Sequence, residues 1–188
     1  MTREDPPPPA TAGIRLEVVA GTGISSSVRT AILSLSARAF EEDVEALYDT
    51  MTPVAHVLAW TGPRLGSHAM WVDRWIAVGS DEPRRTAYVE FVATEPSLQG
   101  RGLGTAVMER LAVELDGAYP VAGLCTGSPG FYARLGWWIW RGPLGIRRPS
   151  GGILPTPGEI VMVLDLDGSL RPRLDERLSA EWREGELW

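Results

Sequence analysis

The six residues Gln99-Gly100-Arg101-Gly102-Leu103-Gly104 stand between two regular patterns. Before them, Tyr88 to Thr94 alternates and is rich in β-formers, the pattern of a strand. After them, Leu103, Val107, Leu111 and Leu115 recur four apart, with Met108 and Ala112 beside them, the pattern of an amphipathic helix. A glycine-rich turn in this position leaves backbone N–H groups free at a helix N-terminus. Free donors and the positive end of the helix dipole then coincide, which suits a phosphate-bearing ligand.

The residue types narrow the choice of ligand. A Walker A loop needs a Lys-Ser/Thr pair after its last glycine, and this chain has no lysine; all eighteen basic residues are arginine. The same fact removes Schiff-base and pyridoxal chemistry and any lysine general base. A dinucleotide fingerprint fits poorly, because Thr105 falls where its third small residue would stand and no βαβ start precedes the turn.

Five other side chains deserve a chemical reading. Glu90 lies on the strand before the turn, on the face of Tyr88 and Val92 by simple alternation. A carboxylate there is costly unless solvated or paired, so it marks either an exposed strand face or a general base. Tyr132 follows the periodicity of a half-buried helical tyrosine. The lone Cys125 reads as a small buried hydrophobe rather than a nucleophile. His56 and His68 have no carboxylate at metal-ligand spacing, so no metal is expected.

These residues need a scaffold. The patterns predict strands at Ile14–Val18, Ala55–Trp60, Leu65–Val78, Tyr88–Thr94, Tyr119–Cys125, Gly136–Trp140 and Glu159–Leu166. Helices are expected from a Ser25–Ser27 cap to about Phe40, after the glycine turn, and over Ser128–Leu135, and the acidic stretch Glu41–Glu45 begins another short helix or a loop. Gly142–Gly158 reads as a Pro/Gly loop, and Asp175–Trp188 as helical, then frayed. Antiparallel neighbours followed by a βαβ crossover give an α/β fold, with a mixed central sheet of six to seven strands flanked by helices. With 188 residues and no repeats, one domain is expected over residues 13–188, after an acidic, proline-rich disordered tail at residues 1–12.

Composition excludes several classes. A net charge of −6 without a basic, aromatic-interleaved patch argues against nucleic acid and leaves room for cationic ligands. No apolar run is long enough to span a bilayer, and the N-terminal residues lack a signal-peptide core, so no membrane partner is expected. One cysteine rules out an internal disulfide framework and suits a cytoplasmic protein.

The glycine turn matches the Gln/Arg-x-x-Gly-x-Gly/Ala pattern, and on it the chain resembles the GNAT superfamily of acetyl-CoA-dependent N-acetyltransferases. Further pieces resemble the aminoglycoside 2'-N-acetyltransferases within it. They are Ala39-Phe40 with Asp43, Tyr88-Val89-Glu90, Gly117-Ala118-Tyr119, Phe131 to Trp137, Trp140-Arg141-Gly142-Pro143, and the terminal Glu181 to Trp188. Residues between Cys125 and Tyr132 look shortened, and the loop before Glu159 lacks an acidic cluster.

The resemblance implies a cleft where the strand at Tyr88 splays from the strand at Tyr119. Acetyl-CoA would lie there against the backbone of Val92, Ala93 and Thr94, with the Val92 N–H as oxyanion donor. Gln99, Gly100, Arg101, Gly102, Leu103 and Gly104 would hold the pyrophosphate. Glu90 becomes the general base, acting through water, and Tyr132 the acid for the departing thiolate. Phe91 and Cys125 would border the acceptor, a cationic amine held by Asp43, Glu90, Glu159, Glu186 and the terminal carboxylate and indole of Trp188. The other tryptophans, especially Trp137 and Trp138, are mostly expected in the core. The expected reaction is acetylation of the 2'-amine of an aminoglycoside, of gentamicin, tobramycin or kasugamycin type, conferring resistance. Another small amine, a protein N-terminus, or an acetyl-CoA sensor without turnover are the alternatives. The resemblance also suggests a homodimer.

Overall fold

In the computed structural model, residues 13–188 are described; the tail expected at 1–12 lies outside the described residues. The chain starts with β1 (Ile14–Ala20), then α1 (Ser26–Phe40), whose first turn is capped by the Ser25 hydroxyl accepting from the Val28 N–H at 3.3 Å. A short α2 (Glu45–Asp49) leads into a meander of β2 (Pro53–Thr61), β3 (Arg64–Val78) and β4 (Arg84–Thr94). The long α3 (Leu103–Leu115) crosses over to β5 (Val121–Cys125), which pairs parallel to β4. Then come α4 (Pro129–Ala133), β6 (Trp138–Ile139), β7 (Leu144–Arg147), β8 (Ile153–Pro155), β9 (Val161–Asp165) and β10 (Leu178–Glu181).

The order β1-β2-β3-β4-β5-β9-β6 forms the expected mixed sheet, and β10, β7 and β8 extend it to ten strands. The junction is β3, whose fifteen residues are longer than any neighbour. One edge pairs with β4; the other is shared between β2, up to Val72, and β10, at Ile76 to Val78.

Two expectations are corrected here. The Pro/Gly segment 142–158 contains β7 and β8 rather than only loop. Its glycines serve close approach: a Cβ on Gly142 would fall 1.8 Å from the Glu176 carbonyl oxygen, and one on Gly145 would fall 2.4 Å from Ile153. The C-terminal segment is a strand, not a helix, because Leu178 and Ala180 bury completely against β3 and β7. Non-local pairing overrides local propensity there.

Both faces of the sheet are covered. Val107, Met108, Leu111 and Leu115 of α3 pack on Val57, Ala69, Ala87 and Val89. The opposite face carries two clusters. One joins Ile32, Leu35 and Tyr48 to Met70, Phe91 and Ala93. The other joins Val72, Ile76 and Tyr88 to Trp140, Leu178 and Trp188. Trp137 belongs to the core as expected, but Trp138 is 40% exposed on the two-residue β6, under the Arg171 guanidinium. Among the described residues, no helix is long and apolar enough to cross a membrane.

Candidate active site

The parallel strands β4 and β5 pair only at Ala87–Ala122 and Tyr88–Gly123. Beyond Tyr88 they part, and a cleft of about 910 Å³ opens between them. The residues after Leu98 close one end, and α4 closes the other. A bulge shapes the near wall. Between the Met70–Glu90 and His68–Ala93 pairs, β4 carries one residue more than β3, and Phe91 takes a left-handed φ of +52°. A bulky residue in that region costs about 1–3 kcal/mol and persists only where its surroundings hold it.

The bulge corrects simple alternation. Tyr88, Phe91 and Ala93 face the side covered by α1 and the C-terminal segment, whereas Val89 and Val92 face α3. Val92 therefore does not share a face with Tyr88. Such bulges re-aim strand groups next to functional sites.

At the glycine turn, Gly100 and Gly102 have φ of +72° and +84°. Gly102 is the N-cap of α3, and no side chain caps it. The first intrahelical bond runs from the Ala106 N–H to the Gly102 carbonyl at 2.9 Å, so the N–H groups of residues 103 to 105 precede the helical ladder. A Cβ on Gly104 would stand 3.1 Å from Thr94 Oγ1, so the turn lies tight against the end of β4. Backbone donors at a positive helix end beside a long cleft fit the diphosphate and pantetheine of coenzyme A. Val92, Thr94, Gln99, Gly100, Gly102, Leu103 and Gly104 all line this cleft. Ala93 and Arg101 do not: the Ala93 carbonyl accepts from Ser67 Oγ at 2.9 Å inside the sheet, and Arg101 is exposed.

Glu90 lines the cleft floor with its side chain 12% exposed. Its Oε1 lies 2.6 Å from Nη2 of Arg183, an ionic contact whose angles do not make a hydrogen bond. Burial pushes the Glu90 carboxyl above its usual range, and the Arg183 and Arg74 guanidinium groups pull against it. Tyr88 beside it has its ring between Arg74, at 5.0 Å, and Arg183, at 5.7 Å. Its buried hydroxyl has no partner among the described residues. Tyr132 lines the opposite wall, with its ring against Phe131 and Trp137. Burial pushes its phenol up to about 12, although the Thr126 hydroxyl acts the other way.

The acceptor candidates divide. Glu90, Phe91 and Cys125 line the cleft. The Cys125 thiol donates to Glu159 Oε2 at 3.3 Å, and burial, with that carboxylate, pushes it up to about 12, which leaves no thiolate at neutral pH. Glu159 is thus one contact away from the cleft. Asp43 is exposed just before α2, accepting from the Glu45 N–H at 3.0 Å, and does not line the cleft. Glu186 is exposed on the C-terminal segment and adds negative potential at Glu90. The Trp188 indole is buried in the core, donating to Thr156 Oγ1 at 2.7 Å, so it offers no open stacking face.

Three features were not read from sequence. Arg183 sits in the terminal segment, where attention falls on the acidic residues around it. Arg74, 1% exposed, donates to the Glu181 and Leu187 carbonyls at 2.7 and 2.9 Å and clamps that segment to β3. Glu95, 4% exposed, is held by Arg38 at 2.9 Å and Arg64 at 3.2 Å, fixing the chain as it leaves β4. Pairings at such sequence separations carry no local signal. Among the described residues, no cluster of three His, Cys, Asp or Glu side chains could hold a metal ion.

Known proteins share this architecture. The structure of Escherichia coli YhbS in complex with CoA superposes with a TM-score of 0.64 at 19% identity, over 97% of this chain and 94% of that one. Eis1 from Mycobacterium abscessus superposes with a TM-score of 0.57 at 18% identity, over 70% of this chain and 33% of that one. In sequence, the chain is 32% identical over 128 residues to an aminoglycoside 2'-N-acetyltransferase of Mycolicibacterium fortuitum; the match spans 65% of this chain and 65% of the relative. Residues 24–140, well over half of the chain, match the acetyltransferase (GNAT) domain. A splayed β4–β5 pair, an uncapped glycine turn and that match lead to one conclusion: the chain belongs to the GNAT acetyltransferase family.

Proposed function

We propose that this chain transfers an acetyl group from acetyl-CoA to the 2'-amino group of an aminoglycoside by direct attack. The observation that carries the reading is that the Glu90 carboxyl and the Tyr132 phenol line one cleft with the uncapped glycine turn. The similarity to the Mycolicibacterium relative supports this acceptor class. Bound acetyl-CoA supplies a thioester whose carbonyl carbon accepts the amine nitrogen and whose sulfur leaves.

Residues 102–105 grip the diphosphate through main-chain donors, which positions the thioester between β4 and β5. The Val92 N–H, turned by the bulge, stabilises the negative charge developing on the carbonyl oxygen. Glu90 takes one proton from the acceptor ammonium through water, leaving a nucleophilic amine. The second proton leaves as the C–N bond forms and the C–S bond breaks. Tyr132 stays protonated at neutral pH and gives a hydrogen bond, then its proton, to the departing sulfur; the second amine proton restores the phenol. A phenol raised to about 12 is a weak free acid, so its help is confined to the moment when charge builds on sulfur.

Thiol release from acetyl-CoA, measured against gentamicin, tobramycin, kasugamycin, a simple diamine and a peptide with a free N-terminus, tests the reading. Turnover with an aminoglycoside, and an acetyl group at its 2'-nitrogen by NMR, is expected. Turnover with the diamine or peptide alone would assign another acceptor. Coenzyme A binding without turnover on any amine would make the chain an acetyl-CoA sensor. If the aminoglycoside product forms, expression in a susceptible host raises the inhibitory concentration of that drug.

A further inference from the structure

Glu90 already has a cation on it. The Arg183 guanidinium reaches it from the C-terminal segment at 2.6 Å, with its side chain 17% exposed. The same guanidinium faces the Tyr88 ring at 5.7 Å, and its Nη1 lies 3.6 Å from the Met51 sulfur. Its Nε donates to the Glu186 carbonyl. A carboxylate, an aromatic face, a thioether and a carbonyl together make a built site for an organic cation.

The segment that delivers Arg183 is pinned on either side of it. The Trp182 N–H donates to the Arg147 carbonyl at 3.0 Å, and Arg74 donates to the Leu187 carbonyl at 2.9 Å. Between these anchors, Glu184, Gly185 and Glu186 are exposed, and Gly185 has a φ of +80°. These exposed residues lie outside β10 and outside the buried Trp188.

We infer that Arg183 occupies the acceptor's ammonium subsite from within and is a specificity-determining residue: a substrate must displace its guanidinium from Glu90. This rests on the acetyl-transfer reading only for the identity of the displacing cation. A lone weak amine competes poorly with a tethered guanidinium, whereas a polycation brings further charges to the exposed carboxylates beside it. The resident cation also opposes the burial that raises the Glu90 carboxyl. Arg183 and Glu186 face Glu90 from the C-terminal segment, Arg74 from β3, and Tyr88 from its own strand, with Cys125 of β5 beyond Tyr88. Burial raises the Glu90 carboxyl most, and Arg183 opposes it most. Removing Arg183 therefore moves the acid limb of any rate profile to higher pH.

The experiment is a titration of methylguanidinium chloride into full-length wild-type protein, Arg183→Ala and Arg183→Gln, read by calorimetry and, where Glu90 is kept, also on its carboxyl carbon by NMR. Arg183→Gln keeps most of the stem and serves if truncation unfolds the chain. Methylguanidinium should bind either variant about tenfold or more tighter than wild type, and adding Glu90→Gln should abolish that binding. Equal binding to wild type and variants, or none to the variants, overturns the proposal. Binding to the variants with no turnover on any amine overturns the acetyl-transfer reading alone.

Discussion

The ring Nδ1 of His68 lies 3.0 Å from the carbonyl oxygen of Phe91, the residue that carries the left-handed bulge of β4. A carbonyl only accepts, so Nδ1 carries the proton and His68 Nε2 is left as an acceptor. It faces His56 Nδ1 at 3.0 Å, so His56 is the donor there and its buried Nε2 has no partner among the described residues. Both rings are fully buried, and this chain of two donations pins the bulge that aims Val92 at the cleft. His68→Leu leaves the Phe91 carbonyl unpaired and should cost about 1–3 kcal/mol in urea unfolding. The kcat should fall about tenfold or more while coenzyme A affinity stays put, because the turn at 99–104 is untouched.

Burial lowers His56 from 6.5 to about 4 and His68 to about 3, with the His56 ring adding to the second shift. The unfolded chain protonates these rings below about 6.5, whereas the folded chain keeps them neutral. Their contribution is therefore complete above pH 6.5 and is lost as pH falls towards 4 and then 3, by up to about 1.4 kcal/mol per histidine per pH unit. Urea midpoints between pH 7 and 4.5 should fall steeply in the wild type and less steeply in His56→Gln.

Glu90→Gln should bind coenzyme A normally and lose about 10²- to 10⁴-fold in kcat at neutral pH. The wild-type acid limb should lie above the usual carboxylate range, since burial raises this group, and the variant should lack that limb. Steady-state profiles with the best amine check both.

Tyr132→Phe keeps the ring on Phe131 and Trp137 and removes only the hydroxyl. A loss of about 10²-fold in kcat with an unchanged melting temperature is expected. Because the phenol titrates near 12, the wild type should show no loss of rate from this group up to about pH 11.

Trp188→Ala empties a core position and should cost about 3–5 kcal/mol, seen as a lower melting temperature. Trp188→Phe should cost less and leave acceptor KM unchanged, since the indole meets Thr156 rather than the cleft.

What could be read from sequence and what could not follows the range of the interactions. Glycines at 100, 102 and 104 between a β-rich and a helical period are local signals, and they located the turn and α3, whereas the β4–β5 opening came only from the family resemblance. Glu90 was visible because a carboxylate is out of place on such a strand. The bulge was not, since no glycine marks it and Phe91 is held left-handed by His68, 23 residues away. Arg183 meets Glu90 across 93 positions, and β10 finds β3 across about a hundred, so neither leaves a periodic trace. Trp188 lies in the core rather than at the cleft, and its aromatic character alone suits a stacking face and a core position equally.

A structure of the chain crystallised with coenzyme A tests the central claim most directly. The diphosphate should accept hydrogen bonds from the main chain of residues 102 to 105, and the thiol should lie between β4 and β5 within reach of Tyr132. Coenzyme A bound elsewhere, or a cleft that stays empty at saturating ligand, would contradict it.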